Sequence, residues 1–371
     1  SLKGTSQPRS AMANISTRLG EGLSQNGRVM AEYVWLGGST TVMGGFDLRS
    51  KTRTLEKVPA SVAELPVWNY DGSSTGQAAG HASEVLIKPV RVFPHPFLEN
   101  AKAVLCETFY PDMKPHKTNT RHVAVKYFEK HAAEEPWFGL EQEYFLFKEG
   151  RPLGWPQDGF PAPQADYYCG NGAQVVGRDI VLEHYHACLT MGLDISGVNA
   201  EVAPAQWEFQ IGPSLGIDEA DHMTMARWAY QKIGEKHGVH VNYEPKPIKG
   251  DWNGSGCHVN FSTKAMRVPG GIAAIKKACD NLGKTFLEDI KFYGGDNNQR
   301  MTGKHETSKL SEFTWSVGGR HTSVRIGNDV EAAGKGYMED RRPASNIDPY
   351  LSTVRFFTSA IGAPGPSWKD A

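Results

Sequence analysis

No stretch of this sequence approaches the roughly 20 consecutive apolar residues that a membrane span needs, and its first residues hold no apolar core of a secretion signal. A soluble chain is expected. Cysteine is scarce: Cys106, Cys169, Cys188, Cys257 and Cys279 are odd in number, far apart and without a C-x-x-C pair. That argues against a disulfide framework or a zinc knuckle and for a reducing compartment, the cytoplasm. An excess of charge of one sign is missing too. With 40 Lys+Arg against 41 Asp+Glu, nothing supports a nucleic-acid or anionic-membrane partner, and a small-molecule site is the natural expectation. Two familiar phosphate-binding signatures, G-x-x-x-x-G-K-[ST] and G-x-G-x-x-G, are absent, which excludes the P-loop and dinucleotide kinds of nucleotide site. There is no internal repeat.

What is present divides unevenly along the 371 residues, a length that suits two domains. Residues 1–28 read as a tail. Lys3, Arg9 and Arg18 with several serines and no acid in the first 20 leave an organelle-targeting remnant open beside a plain unstructured tail. From Val29 to Val104 the patterns are strand and turn, AEYVWL, FDLRSKTRTL and VLIKPVRVF, separated by Gly, Pro and Ser clusters. The stretch YPDMKPHKTNTRH is the candidate linker, so the first domain is drawn at 29–112 and the second at 113–371. In the second, helices are expected at Arg121–Ala133, Asp179–Met191, Ile217–His237 and Gly271–Tyr293, the last three stopped by Gly192, Gly238 and Gly294. Strands are expected at Trp137–Phe147, Asn199–Ala203, Gln206–Ile211 and Gly256–Ser262.

Carboxylates sit where these strands should be apolar. In WFGLEQEYFLF a two-residue period puts Glu141 and Glu143 on one face and Leu140, Gln142 and Tyr144 on the other. An isolated E-x-E is more often a solvent-facing strand. In NAEVAPAQWEFQIG, however, Glu201 and Glu208 flank Ala203-Pro204-Ala205, a tight connection that sets two short strands side by side and lets both acids face one cavity. In GSGCHVNFS, alternation puts His258, Asn260 and Ser262 on one face. Clustered carboxylates repel one another and resist ionisation unless a cation joins them. A carboxylate-rich, thiolate-free set suits Mg²⁺ or Mn²⁺ better than zinc.

The last third adds arginines near Gly-rich or turn-like segments: Arg300 and Glu306 in RMTGKHE, Arg320 and Arg325 in GRHTSVRIG, and Glu339, Arg341 and Arg342 in GYMEDRRPASNIDPY. Guanidinium forks match carboxylate and phosphate geometry, although a surface ion pair explains Arg342 equally well. Beside a metal candidate they point to nucleotide phosphate chemistry. In VWNYDGSSTGQA, Asp71 falls in a D-G turn that would pass for an ordinary hairpin.

Taken together, WNYDGSS, WFGLEQEY, GWP, YYCG, NAEVAPAQWEFQIGP, KGDWNGSGCHVNFSTKAMR, TGKHETS and EDRRPASNIDPY closely resemble the glutamine synthetases of the eukaryotic type, in family order from Tyr33 to Tyr350. The resemblance implies an α+β fold: a small N-terminal β-grasp-like domain, then a larger catalytic domain with a curved antiparallel, half-barrel-like sheet. It implies an ATP-dependent ligase that forms glutamine from L-glutamate and ammonium through γ-glutamyl phosphate, with two or three Mg²⁺ or Mn²⁺ ions per site. By motif position, Glu143, Glu201 and Glu208 would hold one ion, and Glu141, His258 and Glu339 the ion bridging ATP. Arg300, Asn253 and Gly254 would hold glutamate. Arg320 and Arg325 would hold ATP phosphates, with Arg320 also on the substrate side, and Trp137, Glu208, Asn260, Ser262 and Tyr337 would complete the nucleotide site. Arg341 would sit at the transferred phosphoryl group, and Asp71 and Glu306 would bind and deprotonate ammonium. Glu306 would ride on a flap. The resemblance also implies a homo-oligomer of two stacked five-membered rings, with sites between subunits.

Three departures from the family pattern are Ala165-Asp166 in place of Gly-Pro, Gly327 in place of proline, and Met338 in place of an aromatic. They put loop conformation and adenine packing in question, and the short end IGAPGPSWKDA leaves the last helix undefined. Two rival classes stay in view: a related ligase or phosphagen kinase, which would need no ammonium site, and a catalytically silent homologue, which should have lost ligands.

Overall fold

The computed structural model describes residues 24–38 and 46–367. Of the tail drawn at 1–28, residues 1–23 lie outside them, and with them the targeting remnant considered for the first 20.

Five strands form the first sheet: β1 Val29–Leu36, β2 Leu48–Leu55, β3 Trp68–Asp71, β4 Glu84–Pro94 and β5 Ala101–Phe109. Their order is β2-β1-β5-β4-β3, with β1 and β5 parallel and the other pairs antiparallel. Alternation along β1 serves two cores. Tyr33 and Trp35 join Ile87, Val104 and Cys106 in a small cluster, whereas Val34 faces Phe93, Ala103 and Leu105 in the main one. Strand β5 lies at the centre and runs to Phe109, beyond the Val104 limit drawn from sequence. Its interior acid, Glu107, masked the pattern.

The second sheet curls into a half-barrel of nine strands. They are β6 Trp137–Lys148, β7 Arg151–Pro152, β8 Ile195–Ala200, β9 Gln206–Leu215, β10 His240–Asn242, β11 Cys257–Ser262, β12 Trp315–Val317, β13 Val324–Ile326 and β14 Met338–Asp340. The main path is β12-β13-β14-β11-β6-β9-β8, with β7 and β10 paired to β6. On β6, Phe138, Leu140, Gln142 and Tyr144 are fully buried, as the period of two requires, which turns Glu141 and Glu143 to the other face.

Helices α1 Thr120–Lys130, α2 Arg178–Met191, α3 Ile217–His237, α4 Lys264–Arg267, α5 Ile272–Asp289, α6 Asn328–Ala333 and α7 Pro349–Ala360 complete the fold. Gly192 and Gly238 end α2 and α3 in the left-handed conformation, as glycine at that position favours. The expected long helix to Tyr293 ends at Asp289 and tightens into a 3₁₀ turn, Ile290–Phe292. Helix α7, undefined from sequence, starts at Pro349 with Asp348 accepting from the Tyr350 and Leu351 amides. Phe357 on α7 stacks on Phe128 of α1 at 5.6 Å, and Phe128 meets Phe138 edge-on at 5.9 Å, so aromatic rings seal the apolar back of β6.

One buried clasp ties the two sheets together. Arg121 on α1 holds both oxygens of Asp221 on α3 at 2.8 and 2.9 Å and reaches Glu107 on β5 at 2.9 Å.

Candidate active site

Strand register assembles the polar face. Glu141 on β6 pairs with His258 on β11, Gly139 with Asn260, and Trp137 with Ser262; Asn260 in turn pairs with Glu339 on β14, and Glu339 with Arg325 on β13. On the other side of β6, Glu143 stands directly opposite Glu208 on β9. Two groups result, Glu141/His258/Glu339 and Glu143/Glu201/Glu208, each with its potential ligand atoms within 4.8 Å of one another. The strand expected to reach Ala203 stops at Ala200. Glu201 therefore projects from the turn, in which Ala205 adopts φ 65°, and this lets it lean toward its two partners.

Like charges directly opposite on a sheet are destabilising. Burial pushes the carboxyls of all three members of the second group above their ordinary range, Glu201 to about 8, and mutual repulsion adds to the rise. Groups that resist ionisation in this way fit a site that a divalent cation completes. Polar neighbours fix each carboxylate. The Gly256 amide donates to Glu143 at 2.7 Å, Asn199 to Glu201 at 2.9 Å, and Gln210 donates to both Glu208 and Asn199. Gln210 went unnoticed in the sequence, although its spacing of two from Glu208 in WEFQIG put it on the same face.

In the first group His258 Nδ1 lies 3.2 Å from Glu141 and 3.5 Å from Glu339, and Asn260 donates to Glu141 at 2.8 Å. Burial, with Arg341 nearby, pulls the His258 pKa well below its usual value, which keeps the imidazole neutral. Arginines crowd the same acids. Arg341 reaches Glu339 at 2.6 Å and Arg325 reaches it at 3.2 Å, while Arg300, pulled down to about 10 by burial, donates to His258 Nε2 at 3.0 Å.

Other residues singled out by sequence lie around this centre. Trp137 is 44 % exposed with the Arg267 guanidinium 4.1 Å from its ring, and Arg267 also donates to Ser262. Tyr337 is 47 % exposed. The adjacent Met338 is fully buried against Cys279, on the face of β14 opposite Glu339, so this departure alters the core and not the polar face. Gly327 has φ −62°, a value proline shares, and the lost proline costs no change of backbone course. The Gly254 carbonyl accepts from Gln206, and the Asn253 amide donates to Gln164. Glu306 lies 3.3 Å from Arg320 and 3.9 Å from Arg341.

Asp71 stands apart. It does not sit in a tight two-residue hairpin turn; it ends β3 opposite Glu84 of β4 and caps the 3₁₀ turn Gly72–Thr75. Hydrogen bonds from Ser73 and Ser74 hold its exposed carboxylate down to about 2. Those bonds are local, and among the described residues none joins Asp71 to the carboxylate groups of the second sheet.

A curled α+β sheet that sets two triads of hard oxygen and imidazole donors beside a bank of arginines defines a class: proteins built to hold divalent cations against anionic small molecules. Comparison with known proteins narrows it. Residues 117–270 match the family described as glutamine synthetase, catalytic domain. The chain is 52% identical over 365 residues to glutamine synthetase N-1 of Phaseolus vulgaris, covering 96% of this chain and 100% of that protein. It is 51% identical to a glutamine synthetase of Saccharomyces cerevisiae (92% and 91% covered) and 53% identical to the chloroplastic/mitochondrial enzyme of Arabidopsis thaliana (88% and 76%). The chain belongs to the glutamine synthetase family. No helix of the described residues is long and apolar enough to cross a membrane.

Proposed function

We propose that this chain joins ammonia to the γ-carboxylate of L-glutamate at the expense of ATP, releasing ADP, phosphate and L-glutamine. The observation that carries the reading is the juxtaposition of the two acid groups with Arg300, Arg325 and Arg341, in a chain of this family.

Glu143, Glu201 and Glu208 would hold one divalent cation, and Glu141, His258 and Glu339 another; Mg²⁺ and Mn²⁺ suit the donors. Bound there, such ions supply Lewis-acid neutralisation of phosphate charge. The residues of the chain do the rest. Arg300, with Asn253 and Gly254, orients glutamate, while Trp137, Tyr337, Asn260 and Ser262 receive the nucleotide. Arg320, Arg325 and Arg341 face the phosphates and stabilise negative charge as the γ-carboxylate attacks the γ-phosphorus and ADP leaves. Glu306 closes over the resulting γ-glutamyl phosphate and excludes water. Asp71, anionic at neutral pH, binds ammonium together with Glu306 and accepts its proton, and ammonia then displaces phosphate.

Because the Asp71 hydrogen bonds are local, this reading takes Asp71 from a neighbouring copy in a ring-shaped homo-oligomer. The first sheet then serves as a β-grasp-like domain, residues 29–112, and residues 113–371 as the catalytic domain. The test is phosphate release from ATP with Mg²⁺, omitting glutamate and ammonium in turn while glutamine is quantified. Equal phosphate and glutamine, only with both substrates, supports the reading. Phosphorylation of creatine or arginine without glutamate, or no turnover with any metal, overturns it.

A further inference from the structure

The segment 302–309 is pinned at its base by a bridge between Thr302 and Lys309, and its tip is held from two sides. Its tip residues His305 and Glu306 both adopt left-handed backbone, φ 53° and 60°, a conformation disfavoured for residues bearing a Cβ. Such a pair persists only when the surroundings hold it. On one side Glu306 meets Arg320 and Arg341. On the other, His305 Nε2 lies 3.1 Å from Asp251 Oδ1, and His305 Nδ1 lies 3.3 Å from Gln164 Nε2. Gln164 Oε1 accepts the Asn253 amide at 2.9 Å.

One tautomer satisfies the whole relay. The Asn253 N–H donates to the Gln164 carbonyl, the Gln164 amide donates to His305 Nδ1, and His305 Nε2–H donates to the Asp251 carboxylate. Nothing in the relay needs a charge on the imidazole. It runs from the flap tip to the backbone of the segment assigned to the amino-acid substrate.

We infer that His305 is a positioning residue for this reaction: it latches the flap to Asp251 and Gln164 and, through the Asn253 amide, ties it to the segment assigned to the amino-acid substrate. The inference rests on the proposed ligase reading for its substrate. An unlatched flap leaves Glu306 free to drift from Arg320 and admits water to the acyl phosphate, so that ATP is spent without amide formation.

Two readouts test it. In His305→Ala and Gln164→Leu the ratio of phosphate to glutamine is expected to rise above that of the parent chain, with kcat/KM for glutamate falling about threefold to tenfold, the scale of a lost hydrogen bond. His305→Asn keeps a residue suited to positive φ and an acceptor for Gln164, and should restore most of the coupling. Asp251 has a side chain 94% exposed, so Asp251→Ala leaves folding intact, and the double variant with His305→Ala should be no worse than His305→Ala alone. Independently of turnover, trypsin should cut after the exposed Lys304 faster in His305→Ala than in the parent. An unchanged phosphate ratio and cleavage rate in His305→Ala, or full additivity with Asp251→Ala, overturns the latch. A parent chain that makes no glutamine overturns the ligase reading instead, and the cleavage assay still decides the latch.

Discussion

Glu143 and Glu208 are direct cross-strand partners on β6 and β9, two carboxylates side by side with Glu201 leaning in from the adjoining turn. A sheet does not place like charges opposite one another without cost, and that cost makes the first prediction.

The three carboxyls have pKa values raised by burial, Glu201 from 4.5 to about 8. A raised folded-state value means the metal-free fold is favoured when these groups are protonated and loses that stability as pH rises from about 4.5 through about 8. A cation that binds the ionised acids must then displace protons. The stabilisation by saturating Mg²⁺, read from denaturant midpoints with and without chelator, should be larger at pH 8 than at pH 5. Equal increments at both would mean that the three acids do not share an ion.

On the reverse face of β6, Gln142 Oε1 accepts from Arg227 of α3 at 2.9 Å, and Arg227 also donates to the Ile347 and Ser345 carbonyls. This fully buried guanidinium fixes the strand that carries Glu141 and Glu143. Gln142→Leu removes its main acceptor and is expected to cost about 3 kcal/mol, in the range for an uncompensated buried charge. Equilibrium unfolding measures it, and a loss under about 1 kcal/mol would show that the carbonyls alone suffice.

Ala165 adopts φ 92°, with its amide donating to the Val202 carbonyl next to Glu201. Glycine reaches that conformation freely, while an L side chain is strained there. Ala165→Gly should therefore stabilise the chain by about 0.5–1 kcal/mol once the greater freedom of unfolded glycine is subtracted. A lower melting temperature would show that the loop relaxes in solution.

Asp71 stays ionised through the whole working pH range, because Ser73 and Ser74 hold its carboxylate down to about 2. Asp71→Ala is expected to keep ATP and glutamate binding and to lose glutamine formation by about 10²–10⁴-fold, the usual share of a general acid–base group. Calorimetric binding and direct glutamine quantification separate the two. Undiminished synthesis would remove Asp71 from the reaction.

Much of this was legible in the chain. The alternation around Glu141 and Glu143, the glycine stops after α2 and α3, and the turn that sets β8 beside β9 all follow from local periodicity and backbone preference. Long motifs in one order carried the resemblance to the family. Less visible were β5, where an interior glutamate breaks the apolar run, and α7, whose buried face is set by neighbours far away in sequence. The Gln164–His305–Asp251 relay left no local signal, since its members are separated by 54 residues or more.

By itself the sequence determined which side chains share a strand face and where helices must stop, because those follow from the two-residue and 3.6-residue periods and from the freedom of glycine. Only the tertiary structure decided how closely the six ligand candidates from β6, β9, β11, β14 and one turn approach one another within their two groups, and which arginine lies against which acid. Register between distant strands sets those distances, and register depends on the packing of the whole sheet against its helices.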